Sequence, residues 1–315
     1  MKDTGFLLIN GYFLFGMSLL FALGLSVLVI ALYTGYRLTH PTRQIVGETP
    51  EQHVLTYEDI TFPSKPAPIR LKGWWLPAQQ NRKRTPSENT VIFAHGYGAC
   101  RLFLPGYALL LAKALCNSGF NVLMFDFRNS GESSAAVTSV GYYEKDDLLA
   151  AIDYVVSRKQ SSRVSLMGWS MGAATSLIAA PEAAAVVAVV ADSPFATLSG
   201  YLRSNLSIWS GLPNFPFTPL ILWLLSVIHR IDLSSVNPMQ AAKSLGSRRL
   251  LLIHAISDPA ISYLNSKQIY TVVKDRLQAQ LWLTDGGGHP ESYVLHQEEY
   301  EKRVIEFLTQ SMVKP

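Results

Sequence analysis

The chain has 315 residues, 49% of them hydrophobic and 16% charged, with a formal net charge of +4 and two cysteines. This length accommodates one large α/β domain plus an added segment. The mild charge argues against a nucleic-acid partner, and Cys100 and Cys116 form no disulfide framework; neither metal-ligand spacing nor a phosphate-cradling loop is present.

No charged residue occurs between Asp3 and Arg37, and Leu7 to Tyr33 is almost wholly apolar. That run exceeds the roughly 20 residues a bilayer-spanning helix needs and the roughly 7–15 of a signal-peptide core. No A-x-A-type cleavage site follows it, so residues 7–33 are expected to form an uncleaved membrane anchor within an N-terminal segment 1–38. Lys2 on one side against Arg37 and Arg43 on the other favours a cytoplasmic catalytic domain by one charge. Residues 39–53 read as a polar linker.

Strands are expected over Val54–Phe62 and Ile69–Leu76, joined by the turn Pro63-Ser64-Lys65-Pro66, with Gln79 to Asn89 as a loop. Arg82, Lys83 and Arg84 in that loop read as a solvated turn. From Thr90 the pattern becomes buried strand, loop, helix. Strands fall at Val91–Ala94, Val122–Phe125, Val164–Met167, Val186–Ala191, Leu250–Ile253 and Gln280–Leu283. Helices are expected over Leu102–Cys116, Tyr142–Ser157, Ala173–Ala180 and Glu298–Gln310. Such alternation specifies a mostly parallel sheet with helices on both faces, whose ligand site lies beyond the carboxyl ends of the strands. The core is thus 54–194 and 246–315. Residues 195–245, apolar, aromatic and Pro-rich, are too long for an ordinary connection and read as a helical cap. Pro219 to Ile231 is apolar almost all round yet too short to span a bilayer, so burial in the cap is expected of it, with contact with a membrane surface as the alternative.

The chemistry concentrates at Gly168-Trp169-Ser170-Met171-Gly172, a G-x-S-x-G between strand and helix. The serine needs a tight turn, and Gly168 and Gly172 lack the Cβ atoms that would clash there. A serine hydroxyl is a poor nucleophile without a base and an orienting acid, expected in the order Ser, acid, His. His289, in the Gly-rich loop after the last strand, is the candidate base. Asp258, after the Leu250–Ile253 strand, is the candidate acid; Asp285 and Asp192 are its rivals. Backbone N–H groups of Met171 and of Tyr97, in His95-Gly96-Tyr97-Gly98, are the candidate oxyanion donors. Gly96 and Gly98 are expected to allow close backbone approach, and His95 to anchor the loop.

From about Val54 onward the chain resembles the α/β-hydrolase superfamily, on His95-Gly96-Tyr97-Gly98, Gly168-x-Ser170-x-Gly172, Asp258 and Gly288-His289. Phe125 to Ser133 and Gly141 to Asp147 look like the serine aminopeptidase/monoacylglycerol-lipase-like branch, closest to members with an N-terminal membrane helix. Ala255 departs from the glycine that branch often has in its His-Gly-x-x-Asp run. The resemblance implies a cofactor-free hydrolase without a metal. The expected function is a membrane-anchored serine hydrolase of ester-like substrates, acyl ester or thioester, through Ser170, His289 and Asp258. A small acyl or lipid-like molecule is the expected partner. A serine peptidase acting on amides and a non-catalytic hydrolase-fold binding protein are the alternatives, and the residues do not choose among leaving groups.

Overall fold

A computed structural model describes residues 3–65, 69–104, 106–275 and 278–312, with the side chains of 3–11 outside the described set. Pro66, the end of the expected Pro-rich turn, also lies outside the described residues. The chain divides into two compact units, residues 1–39 with 202–231, and residues 40–201 with 232–315.

The larger unit is built on an eight-stranded sheet. Its strands are β1 (Glu58–Ser64), β2 (Ile69–Leu76), β3 (Asn89–Ala94), β4 (Asn121–Phe125), β5 (Arg163–Trp169), β6 (Val186–Asp192), β7 (Arg249–Ala255) and β8 (Ala279–Thr284). They lie in the order β1-β2-β4-β3-β5-β6-β7-β8. Only the pairings of β2, with β1 and with β4, are antiparallel; the rest are parallel. Parallel strands need helical crossovers, and covering both faces makes the strands apolar throughout. In β3, Val91 and Phe93 enter one core cluster while Ile92 and Ala94 enter the other, the period of two expected of a strand. The first cluster also holds residues of α2 (Ala108–Asn117) and α8 (Gln297–Met312). The second holds residues of α3 (Glu144–Lys159), α4 (Met171–Ala179) and α7 (Leu264–Val273). This is the α/β-hydrolase architecture expected from the sequence.

Local departures have local causes. Val54 follows a 3₁₀ turn, Pro50–His53, and β1 begins four residues later at Glu58. Gln79–Gln80 and Lys83–Arg84 pair as a two-residue ladder inside the expected loop. Helix α3 begins at Glu144, two residues after the expected Tyr142. The Glu144 carboxylate accepts from the N–H of Ser139 and Gly141 and from the Ser139 hydroxyl (2.9, 2.8 and 2.6 Å), which holds the preceding turn off the helix. Helix α2 starts at Ala108 because the Arg101 segment is tied elsewhere, as described below. The expected linker is docked for part of its length. Arg43 donates to the carbonyls of Ser130, Gly131 (2.6 Å) and Ser133, and Pro50 and Leu55 are buried.

The smaller unit holds α1 (Asp3–Thr39), most of α5 (Leu198–Ser210) and α6 (Asn214–His229). Of the segment 195–245, therefore, 202–231 stands with α1, and its ends belong to the larger unit. Residues 12–39 of α1 are apolar and long enough to cross a membrane. Phe215 is extended, so the continuous part of α6 starts at Pro216. Pro216 and Pro219 then occupy the first turn, where missing N–H groups cost nothing.

Candidate active site

The parallel register aligns the carboxyl ends of the central strands: Ala94 pairs with Gly168, Gly168 with Ala191, and Trp169 with Asp192. Loops leaving β3, β5, β7 and β8 therefore converge on one edge. Ser170 lies between β5 and α4 with φ 55° and ψ −118°, a strained conformation for a non-glycine residue. Neighbouring packing enforces that turn. A Cβ on Gly168 would lie 2.3 Å from the Gly172 carbonyl oxygen, and one on Gly172 would lie 1.9 Å from that of Ala94. The Ser170 N–H donates to the Asp192 carbonyl at 2.8 Å, which pins the apex to β6.

Three of the expected side chains form a line. His289 Nε2 lies 2.7 Å from Ser170 Oγ, and His289 Nδ1 lies 2.6 Å from Asp258 Oδ2. A carboxylate accepts, so Nδ1 carries the proton and Nε2 is left as the acceptor for the serine hydroxyl. Asp258 Oδ1 accepts from the N–H of Ala260 and Ile261 (2.8 and 2.9 Å). Burial pushes the Asp258 carboxyl up, but hydrogen bonds from His254 and His289 outweigh it and hold the group well below the usual carboxylate range. Asp258 is thus held as an anion, with Oδ2 facing the imidazoles of both His289 and His254.

His254 heads the His-x-x-x-Asp run, and no role is expected of it from the sequence. Its ring is fully buried. Nε2 lies 2.7 Å from the Ile261 carbonyl and 3.4 Å from Asp258 Oδ2, and Nδ1 lies 2.7 Å from Ser266 Oγ. A carbonyl only accepts, so Nε2 carries the proton, and the same N–H faces the carboxylate. His254 therefore closes the Asp258–Ile261 turn from beneath. The four-residue spacing His254-x-x-x-Asp258 is the only trace of this in the sequence. Ala255 sits buried in β7 without a positive φ, so no glycine is demanded there.

The rivals stand apart from the imidazole. Asp285 is exposed, and its carbonyl accepts from His296. The Asp192 carboxylate accepts from Ser193 Oγ and Tyr300 OH, both at 2.9 Å. Burial pushes that carboxyl up to about 6.

Met171 is the first residue of α4, where backbone N–H groups lack intrahelical acceptors and the helix dipole is positive. Across from it, Gly96 approaches closely enough that a Cβ there would be 3.5 Å from Ser170 Cβ. That is ordinary contact, so Gly96 is not required by space. Gly98 is required by conformation, with φ 68°. His95 anchors this loop. The Phe127 N–H donates to Nε2 (3.0 Å), which places the ring proton on Nδ1, facing the Gly96 carbonyl at 2.8 Å. Burial lowers its pKa, so the ring is a neutral brace.

The two stretches that set the branch-level resemblance brace the same loops. Asp126 accepts from the backbone N–H of Arg101 (2.7 Å) and from its guanidinium (2.7 and 3.1 Å), and also from the Glu132 N–H (2.9 Å). Gly131 is confined because a Cβ would fall 2.2 Å from the Asp126 carboxylate. Arg128 makes a two-pronged bond to Asp147 (2.7 and 2.9 Å), joining the loop after β4 to α3. Such buried pairs hold geometry; removing one partner typically costs about 3–5 kcal/mol. Among the described residues no group of His, Cys, Asp and Glu could hold a metal ion.

Residues 89–216 match the family model for the alpha/beta hydrolase fold. The chain is 31% identical over 224 residues to the uncharacterised protein YqkD of Bacillus subtilis, covering 70% of this chain and 71% of that protein. It is 25% identical over 197 residues to the lysophosphatidylserine lipase ABHD12 of Gallus gallus, covering 59% of this chain and 48% of that protein. Among solved structures, the esterase Pf2001 of Pyrococcus furiosus superposes with a TM-score of 0.72 at 27% identity, covering 88% of this chain and all of that one.

Proposed function

Since the chain belongs to the α/β-hydrolase family, we propose that it is a serine hydrolase acting on ester-like acyl substrates through an acyl-enzyme. The observation that carries this reading is the continuous line Ser170 Oγ–His289 Nε2, His289 Nδ1–Asp258 Oδ2 at 2.7 and 2.6 Å. Ser170 Oγ attacks the substrate carbonyl carbon as His289 Nε2 takes the hydroxyl proton, and the carbonyl π-electrons move onto oxygen. The N–H groups of Met171 and Tyr97 hold that oxyanion. Asp258 stabilises the imidazolium without taking its proton. The tetrahedral intermediate collapses, His289 returns the proton to the leaving alcohol or thiol, and the acyl group stays on Ser170. Water then repeats the sequence, with His289 as base, and releases the acid.

Two further features support an anchored enzyme of lipid-like or medium-chain substrates. Residues 12–39 form an apolar helix of spanning length, and molecules with long acyl chains concentrate at the surface to which such a helix would tether the domain. The names esterase and lysophosphatidylserine lipase, carried by similar proteins, point to carboxylic esters ahead of amides.

Turnover of p-nitrophenyl esters from acetate to laurate, by the full chain in detergent, tests the reading. Hydrolysis that rises towards the longer chains and is lost in Ser170→Ala supports it. Equal hydrolysis by Ser170→Ala would show that another group does the chemistry.

A further inference from the structure

Helix α6 presents two apolar faces. One carries Ile221, Leu222 and Leu225, all buried. The other carries Trp223, Val227 and Ile228, which are 59, 56 and 54% exposed. Before it, Phe215 is 83% exposed in the turn between α5 and α6, and Ile208 on α5 is 73% exposed. No Asp, Glu, Lys or Arg lies between Arg203 and Arg230, just as none lies between Asp3 and Arg37. A water-facing helix ordinarily carries charges on its outer face.

The neighbour of α6 says what covers that outer face. α6 packs on α1, where the buried positions are Ala31, Gly35 and Thr39, a stripe of small residues at a spacing of four. At Gly35 an added Cβ would meet Leu225 at 3.5 Å. Small residues at this spacing let two helices approach closely, the usual device where both lie in lipid. Gly35 is two residues before Arg37, the first charge after the apolar run, so Leu225 sits at the level where α1 leaves the hydrocarbon. Ala31 lies about 6 Å deeper than Gly35, at 1.5 Å per residue. The continuous part of α6, from Pro216 to His229, extends about 21 Å, short of the ~30 Å hydrocarbon core. Its axis turns 120° from that of α5, so the pair is not one straight span.

We propose that α6 and the turn before it form a second membrane-contacting element, lying in the interfacial layer of the bilayer beside the end of α1, with Phe215, Trp223, Val227 and Ile228 against lipid. The proposal rests on the reading of α1 as a membrane anchor, and extends it from a tether to a two-helix seat. Tryptophan at this level matches the preference of its ring for the membrane–water boundary.

Depth-dependent quenching tests it on the full chain in phosphatidylcholine/phosphatidylglycerol nanodiscs. A fluorophore is placed on single engineered cysteines: Val227→Cys and Phe215→Cys as tests, Phe21→Cys in α1 as the lipid reference, and Lys267→Cys on the larger unit as the aqueous reference. Cys100 and Cys116 are buried, with thiols that burial pushes up, so they compete poorly for the label. The expected result is strong loss of emission at 227 and 215 with nitroxide near the headgroup. The label at 21 should respond most to deep nitroxide, and that at 267 to neither. Quenching at 21 with none at 227 and 215 would overturn the proposal and leave the anchor standing. No quenching at 21 would remove the anchor and the proposal together. Protection at 227 that depends on protein concentration and not on nitroxide would mean a second copy covers the face, which also overturns it. Fluorophosphonate labelling of the same samples reports separately on the hydrolase reading.

Discussion

The two units of the chain treat their apolar residues in opposite ways. In the larger one, strands such as Val91–Ala94 and Leu250–Ile253 are buried completely on both faces. Charge enters that interior with partners, Arg101 with Asp126 and Arg128 with Asp147 as ion pairs, and the Glu144 and Asp192 carboxyls on N–H and hydroxyl donors. In the smaller unit Phe13, Phe15, Leu20 and Phe21 of α1 are more than 60% exposed, as are Phe215 and Ile208. A water-soluble domain lowers its free energy by hiding such groups, each worth about 1.5–3 kcal/mol on full burial. The first unit is therefore built for water and a preorganised polar site, and the second for an apolar surrounding. On the function and membrane seat proposed above, chemistry falls to one unit and location to the other.

That contrast can be broken from the polar side first. Asp258→Asn, which keeps shape and removes charge, is expected to lower kcat about 10⁴-fold with the fold intact. Esterase kinetics beside a thermal melt measures this, and a loss below tenfold would remove Asp258 from its role. Asp192 sharpens the point through pH. Its carboxyl ionises near 3.8 ordinarily and near 6 when folded. Below about pH 4 both states are protonated and the group is neutral to stability. Between 4 and 6 the unfolded chain ionises while the folded carboxyl keeps its proton, so stability falls as pH rises, by about 3 kcal/mol in all. Asp192→Asn should abolish that dependence and gain most above pH 6. Urea unfolding at pH 4.5 and 7.5 checks it, and an equal gain at both would contradict the assignment.

Smaller effects probe the bracing. His254→Gln is expected to lower kcat about 10²-fold with KM little changed, since Asp258 loses its lower support and the imidazole shifts. A purely structural role would lower the melting temperature and leave kcat per folded molecule as it was. Arg43→Ala removes a cation shared by three carbonyls and should cost about 1.5–3 kcal/mol. An unchanged melting temperature would make the docked linker incidental. On the apolar side, Trp223→Ser should leave hydrolysis of a soluble short-chain ester within twofold and weaken the membrane seat alone. Slowing of that soluble reaction would blur the division between the units.

The legible parts of the sequence were those encoded locally. The elbow could be read because its strain demands glycine at 168 and 172 within five residues. The strands of the sheet could be read because burial on both faces leaves continuous apolar runs. His289 stood out through its glycine-rich loop after the last strand. Other features depend on partners distant in the chain. Arg43 finds carbonyls some 90 positions on, and a polar linker carries no sign of them. His254 reads as the end of a strand until Ile261 and Ser266 fold back onto it. The start of α3 shifted because a buried glutamate, Glu144, caps its own turn, where amphipathic spacing alone suggested Tyr142. The small-residue stripe on α1 acquires meaning only once α6 lies against it.

The central claim, that Ser170 is an activated nucleophile, is tested most directly by a fluorophosphonate probe on the full chain, with the adduct mapped by mass spectrometry. A single adduct is expected on Ser170, lost in Ser170→Ala and formed far more slowly in His289→Ala. A folded protein that takes no label, or labels equally well in Ser170→Ala, would contradict it.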